Sequence, residues 1–295
     1  MPDKREDILK LVECPRDAWQ GLHSFIPTET KAAYIQALLE AGFDTIDMGS
    51  FVSPRAVPQV SDTARLLEMI DTGRSASKLL VIVANAAGAE SACRQEKVTY
   101  LGYPFSISET FQIRNANCTI PESLERVKAI RKLCISSGKE LVIYISMAFG
   151  NPYGDAWRPD MAGAWIKRLG DLGIRIFSLA DTVGLASASD ITSVFGHLKD
   201  SGSAGFQIGA HFHSAPSGWH EKVTAAYDSG CRRFDGTVSG FGGCPFAQDA
   251  LVGNLATENL VAFAREKGIA CTIDETALLK AGQIFRETIA PFTLQ

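Results

Sequence analysis

Long apolar runs are missing from this 295-residue sequence. The longest, KLLVIVANAAGA from Lys78, is broken by glycine well short of the roughly 20 residues a transmembrane helix needs. The first ten residues, MPDKREDILK, are charged where a secretory leader would be apolar. A basic excess is missing too. Lys and Arg number 29 against 33 Asp and Glu, a net charge of -4, and the cations are spread along the chain rather than clustered. Such a chain has no concentrated counter-charge for a nucleic-acid backbone. Neither nucleic acid nor a membrane is expected as a partner, and a cytoplasmic location is. Paired cysteine spacing is the third absence. The seven cysteines, Cys14, Cys93, Cys118, Cys134, Cys231, Cys244 and Cys271, are odd in number and form no CxxC. They read as reduced thiols, and no zinc knuckle is indicated.

The chain has instead a repeat. An apolar, β-branched run, a loop and an amphipathic stretch recur about every thirty residues, the size of one βα unit. The predicted strands lie at 9–14, 44–49, 78–84, 98–105, 140–147, 174–180, 206–213 and 232–238. Helical patterns fall between them, among others at 28–42, 121–138, 161–173 and 218–230. With no Pro- or Ser-rich linker to divide it, the alternation predicts a single α/β domain, a (β/α)8 TIM barrel. Its core spans 9–265, followed by a helical extension over 266–295.

Such a barrel keeps its chemistry at the C-terminal ends of the strands. The chemically capable residues of this sequence fall there. Arg16 and Asp17 follow the first strand, Asp47 ends the second and Asp181 lies just past the sixth; His211 and His213 end the seventh, while Cys244 and Asn254 follow the eighth. In a strand, positions i and i+2 share a face, so the two imidazoles of HFH converge on one spot. With the Asp17 carboxylate and the Asn254 amide oxygen they make a mixed nitrogen and oxygen donor set without thiolate. That set suits Mg²⁺ or Mn²⁺ with positions open for substrate oxygens. Arg16 would offer directional donors to a developing oxyanion. GFGGCPFA (240–247) reads either as a lid whose Cys244 enters the site for proton transfer or as a plain crossing to the last helix. Asp181, in SLADTVGL, either caps the next helix or touches substrate. His23, His197 and His220 read as solvated, and the cysteines other than Cys244 as small apolar residues, with Cys14 alone among them near the site.

Six stretches occur in a specific order: SFVSPRAVPQ (50–59), NANCTIPES (115–123), SLADTVG (178–184), HFH, GFGGCPFA and GNLATE (253–258). Through them, residues 9 to 265 resemble the 3-hydroxy-3-methylglutaryl-CoA lyases, metal-dependent lyase and synthase barrels that open on an Arg-(Asp/Glu) motif. The resemblance implies a divalent metal held by Asp17, His211, His213 and Asn254. It implies Arg16 as the residue that stabilises an enolate, Cys244 as the lid cysteine and Asp181 as an active-site aspartate. Asp47 stands where these lyases usually carry glutamate, and a metal-adjacent histidine such as His211, or Asp181, would serve as base. The implied reaction is a retro-Claisen cleavage of 3-hydroxy-3-methylglutaryl-CoA to acetyl-CoA and acetoacetate, as in leucine breakdown, by a homodimer. Cleavage of a related 3-hydroxyacyl-CoA of the citramalyl-CoA type, or a non-catalytic barrel that binds metal or CoA, are the alternatives. The chain departs from the pattern at SAPSG after the histidines, at Ala18 and Trp19, and at Val142, where an arginine is expected. Trp19 is expected to reshape the pocket floor.

Overall fold

The computed structural model describes residues 8–200, 205–243 and 252–293. The chain opens with β1 (Ile8–Glu13), α1 (Pro15–Trp19), α2 (Thr28–Ala41), β2 (Thr45–Ser50), α3 (Thr63–Met69), β3 (Lys78–Ile82) and α4 (Ala86–Cys93). It continues through β4 (Val98–Ser106), α5 (Glu109–Ala116), α6 (Ile120–Ser136), β5 (Glu140–Ser146), α7 (Asp160–Gly170), β6 (Ile176–Asp181) and α8 (Ala188–Asp200). It ends with β7 (Gln207–Ser214), α9 (Trp219–Asp228), β8 (Arg233–Gly236), β9 (Gly253–Asn254), α10 (Thr257–Lys267), β10 (Ala270–Cys271) and α11 (Glu275–Ile284). All eight predicted strands are present. They pair in chain order, all parallel, and β8 returns to β1 through Lys10–Arg233, Leu11–Phe234, Val12–Asp235 and Glu13–Gly236, which closes a TIM barrel. No helix among the described residues is long and apolar enough to cross a membrane.

The period of two along each strand sorts its side chains between two layers. Leu9 and Leu11 of β1, Ile46 and Met48 of β2, Phe177 and Leu179 of β6, Ala210 and Phe212 of β7 and Phe234 of β8 belong to the large core beneath the helices. Burying such a side chain contributes roughly 1.5–3 kcal/mol. Their neighbours turn into the barrel, where Leu80, Ile82, Val142, Tyr144 and Ile176 form a second apolar cluster. Polar groups share that interior: Asp47, His211, Arg233 and Asp235 are all buried there.

Local signals set the element ends. A capping box opens α6: Thr119 Oγ1 accepts from the Glu122 N–H at 3.3 Å, and Glu122 Oε2 accepts from the Thr119 N–H at 2.8 Å. Just before it, Asn115–Asn117 at the end of α5 line the cavity described below. Gly42 ends α2 at φ +81, where a Cβ would sit 2.9 Å from the Thr272 carbonyl oxygen. That contact matters for the segment after α10. There the helical expectation is corrected in part, because β10 pairs parallel with Ile8 and Leu9 before α11 packs on α2.

Candidate active site

At the exit of β1, Pro15 occupies the first turn of α1 and places Arg16 and Asp17 side by side over the barrel mouth. Arg16 forms a fork on Asp47 of β2: Nε donates to Oδ1 at 3.2 Å and Nη2 donates to Oδ2. Its Nη1 donates to Asp17 Oδ1 at 3.2 Å and to Gln20 Oε1 at 2.9 Å. Gln20 in turn donates to Asp17 Oδ1 at 2.9 Å. Burial by itself would raise the Asp17 pKa, but Arg16, His211, His213 and the Asn254 amide outweigh it and hold the carboxyl below its ordinary value. Burial dominates at Asp47 and raises its pKa despite Arg16.

His211 and His213 leave β7 on its inward face with ring centroids 5.1 Å apart, and Asp17 meets them. One ligand atom from each of the three lies within 4.8 Å of the others. The fourth expected ligand arrives through β9, which pairs antiparallel with β7 so that Asn254 faces His213, and its Nδ2 donates to Asp17 Oδ2 at 3.2 Å. Burial opposes a charged His211, yet the hydrogen bond to Asp235 and the Asp17 carboxylate outweigh it and raise its pKa. His213 moves the other way, to about 4, through burial and the neighbouring His211. Its Nδ1 is buried without a hydrogen-bond partner. An orphaned ring nitrogen beside a carboxylate and a second imidazole fits a divalent cation, and these donors are hard or borderline rather than soft.

Over this cluster opens a cavity of about 780 Å³. Arg16, Asp17, His211, His213 and Tyr144 line it, together with Asn115, Asn117 and Arg126.

Of the residues expected at the site, Asp181 and Trp19 face away from this cavity, and Cys244 cannot be placed. Asp181 shares the outward face of β6 with Phe177 and Leu179; its Oδ2 accepts from Lys222 Nζ at 2.6 Å and its Oδ1 from the Ala186 N–H at 3.1 Å. It is 2% exposed and does not line the cavity, whose wall takes Ala180 and Thr182 instead. Trp19 is corrected as well. Its ring is buried in the helical layer edge-on to Tyr34, with centroids 6.3 Å apart, rather than in the pocket floor. Cys14 is near the site and buried, as expected of a small apolar residue, and burial with the surrounding carboxylates pushes its thiol well up, toward the inert form. Cys244 lies outside the described residues. Its flank is visible: Gly242 packs on Ala18, and the Asn254 N–H donates to the Gly242 carbonyl at 3.0 Å.

Sequence reasoning passed over Asp235, Lys222 and Glu13. Asp235 Oδ2 lies 3.2 Å from His211 Nδ1. Glu13 accepts from the Val238 N–H at 2.7 Å and the Thr257 hydroxyl at 2.5 Å, which holds both sides of the segment after β8. A signal existed for the first: in RRFDGTV, alternation puts Arg233 and Asp235 on one face, opposite the apolar Phe234.

Known proteins resemble the chain over nearly its whole length. The HMGL-like family profile matches residues 10–285. The mitochondrial hydroxymethylglutaryl-CoA lyase of Bos taurus is 34% identical over 283 residues, covering 93% of this chain and 83% of that protein. The cytoplasmic 3-hydroxy-3-methylglutaryl-CoA lyase of Danio rerio is 32% identical, over 93% of this chain and 81% of that one. Among solved structures, an HMG-CoA lyase from Acinetobacter baumannii in complex with coenzyme A and 3-methylmalate superposes with a TM-score of 0.88 at 30% identity, over 97% of this chain and 92% of that one.

Proposed function

Because this chain belongs to the HMGL-like family, and is a carbon–carbon lyase of that family, we propose that it cleaves 3-hydroxy-3-methylglutaryl-CoA to acetyl-CoA and acetoacetate with Mg²⁺ or Mn²⁺. The observation that carries this reading is the meeting of Asp17, His211 and His213 in the wall of a cavity of about 780 Å³. The Acinetobacter baumannii relative, in complex with coenzyme A and 3-methylmalate, supports an acyl-CoA as the ligand.

Asp17, His211 and His213, with the Asn254 carbonyl oxygen, would hold the metal. When bound there, a divalent cation supplies Lewis acidity toward the substrate's hydroxyl and carbonyl oxygens. The chain's own residues do the rest. Transfer of the hydroxyl proton to a general base and breakage of the carbon–carbon bond release acetoacetate and leave negative charge on the thioester enolate, and Arg16 presents a guanidinium at the cavity wall to that charge. Asp47 and Gln20 hold the guanidinium in place, so little reorganisation is needed as charge develops. Cys244 is proposed to deliver the proton that converts the enolate to acetyl-CoA. Asp181, with both oxygens engaged away from the cavity, is not assigned the base.

A related 3-hydroxyacyl-CoA is the second reading, and Val142 favours it: this buried side chain joins an apolar interior cluster where the resemblance leads one to expect an arginine. Metal-stripped enzyme given Mn²⁺ or Mg²⁺ and assayed for acetyl-CoA release on a thioester panel separates the two. Turnover of 3-hydroxy-3-methylglutaryl-CoA above the others is expected. An inert 3-hydroxy-3-methylglutaryl-CoA beside an active citramalyl-CoA would replace the first reading with the second, and an inert panel would leave a binding barrel. The homodimer and the cytoplasmic location belong to the same proposal and are read by light scattering and by cell fractionation.

A further inference from the structure

Asp235 sits on β8 directly beside His211 on β7 and is buried at the centre of the barrel. Its Oδ2 lies 3.2 Å from His211 Nδ1 and accepts from the Ser178 hydroxyl at 3.2 Å. Its Oδ1 lies 3.3 Å from Nη1 of Arg233. A carboxylate accepts and does not donate, so the imidazole nitrogen facing it is the one that carries the proton. In the neutral ring the other nitrogen, Nε2, then holds a lone pair, and it is the one left for the Asp17–His213 group. Leaving a buried carboxylate with no counter-charge would be costly, and Arg233 offsets that cost. The strand beside it makes room for the guanidinium: at Gly209, on the inward face of β7, a Cβ would stand 2.9 Å from Arg233 Nη1 and 3.1 Å from its Cγ.

Cys14, His211 and Asp235 are also close enough together to hold a cation. Arg233 already places a positive charge against Asp235, so the trio belongs to an ion-pair network rather than to a second metal centre.

We propose that Asp235 is a positioning residue for the candidate metal site, holding His211 in the Nδ1–H tautomer with Nε2 presented to Asp17 and His213 while Arg233 offsets its charge. The inference rests on the metal reading above, and it concerns how a ligand is aimed rather than which residues ligate. Partners of this kind fix ring orientation and raise ligand basicity.

Selective ¹⁵N-histidine labelling tests it on the wild-type protein, whose five histidines make a simple spectrum. In the metal-free enzyme, at a pH where the His211 ring is neutral, its proton is expected on Nδ1, and a neutral ring protonated on Nε2 would overturn the proposal without any variant. Asp235→Asn supplies the second arm, since its amide can turn an N–H toward Nδ1 and drive the proton to Nε2. With the fold checked by circular dichroism, its Mn²⁺ dissociation constant, from electron paramagnetic resonance of free Mn²⁺, is expected to weaken roughly 10–100-fold. A folded Asp235→Asn that keeps wild-type Mn²⁺ affinity overturns the proposal and leaves the metal reading standing. A wild type that binds no Mn²⁺ overturns the metal reading itself, and this inference with it.

Discussion

Lys222 Nζ lies 2.6 Å from Asp181 Oδ2, and the same ammonium donates to the backbone carbonyls of His213 at 2.9 Å and Gly184 at 3.0 Å. One cation on α9 thereby ties the end of β6 to the strand end that carries a candidate metal ligand. Both partners are buried, their side chains 10% and 2% exposed. Removing one partner of a buried pair leaves the other charge uncompensated, which costs about 3–5 kcal/mol. Lys222→Met is therefore expected to lose stability on that scale in urea denaturation. A loss below about 1 kcal/mol, typical of surface pairs, would show that the network does not hold β6 to β7.

Glu13 makes stability depend on pH. Burial, only partly offset by the hydrogen bonds from Thr257 and Val238, pushes its pKa up from 4.5 to about 8. The folded state thus binds this proton more tightly than the unfolded chain. The stabilisation is fully present below 4.5 and is lost as pH rises through about 8. Glu13→Gln keeps the shape and removes the titration. Urea unfolding across this range should show the wild type losing stability relative to Glu13→Gln as pH climbs, and a constant difference between the two would remove Glu13 as the cause.

Arg16→Lys keeps the charge and loses the fork on Asp47. A misplaced oxyanion partner typically costs roughly 10²–10³ in turnover. Steady-state kinetics on the cleaved thioester should show kcat falling by that order with KM changing much less. An unchanged kcat would remove Arg16 from enolate stabilisation.

Gly242 sits at φ +78 with no room for a side chain: a Cβ would stand 2.5 Å from Ala18 Cα and 2.7 Å from its carbonyl oxygen. Gly242→Ala is expected to displace the chain on the side leading to Cys244 at a cost of about 1–3 kcal/mol locally. Turnover should drop sharply while the thermal midpoint moves by only a few degrees. An Ala variant with wild-type kcat would show that this contact does not position the loop for catalysis.

The barrel was legible because each strand carries a short β-branched run and each loop ends one, a pattern that needs no tertiary information. The placement of Arg16, Asp17, His211, His213 and Asn254 at strand ends was legible for the same reason, since a parallel barrel turns all such ends to one face. Asp181 was read by its motif rather than by its parity. Alternation through Phe177 and Leu179 already put it on the outward face, and only Lys222, forty-one residues on, shows what it does there. Trp19 was read as reshaping the pocket floor because it departs from the family pattern beside Asp17, yet a helix turns residues two apart to different sides, and α1 sends this ring into the helical layer.

Composition, periodicity and motif order by themselves determined a single parallel barrel, the mouth at which its chemistry lies and the donor types available there. The tertiary structure alone decided which carboxylates serve that chemistry and which serve the fold. Asp17, Asp47, Asp181 and Asp235 are the same residue type, three of them on barrel strands and Asp17 on α1 just past β1. Their roles differ because burial and the cation each one meets, Arg16, Lys222 or Arg233, depend on neighbours that only folding brings within a few ångströms.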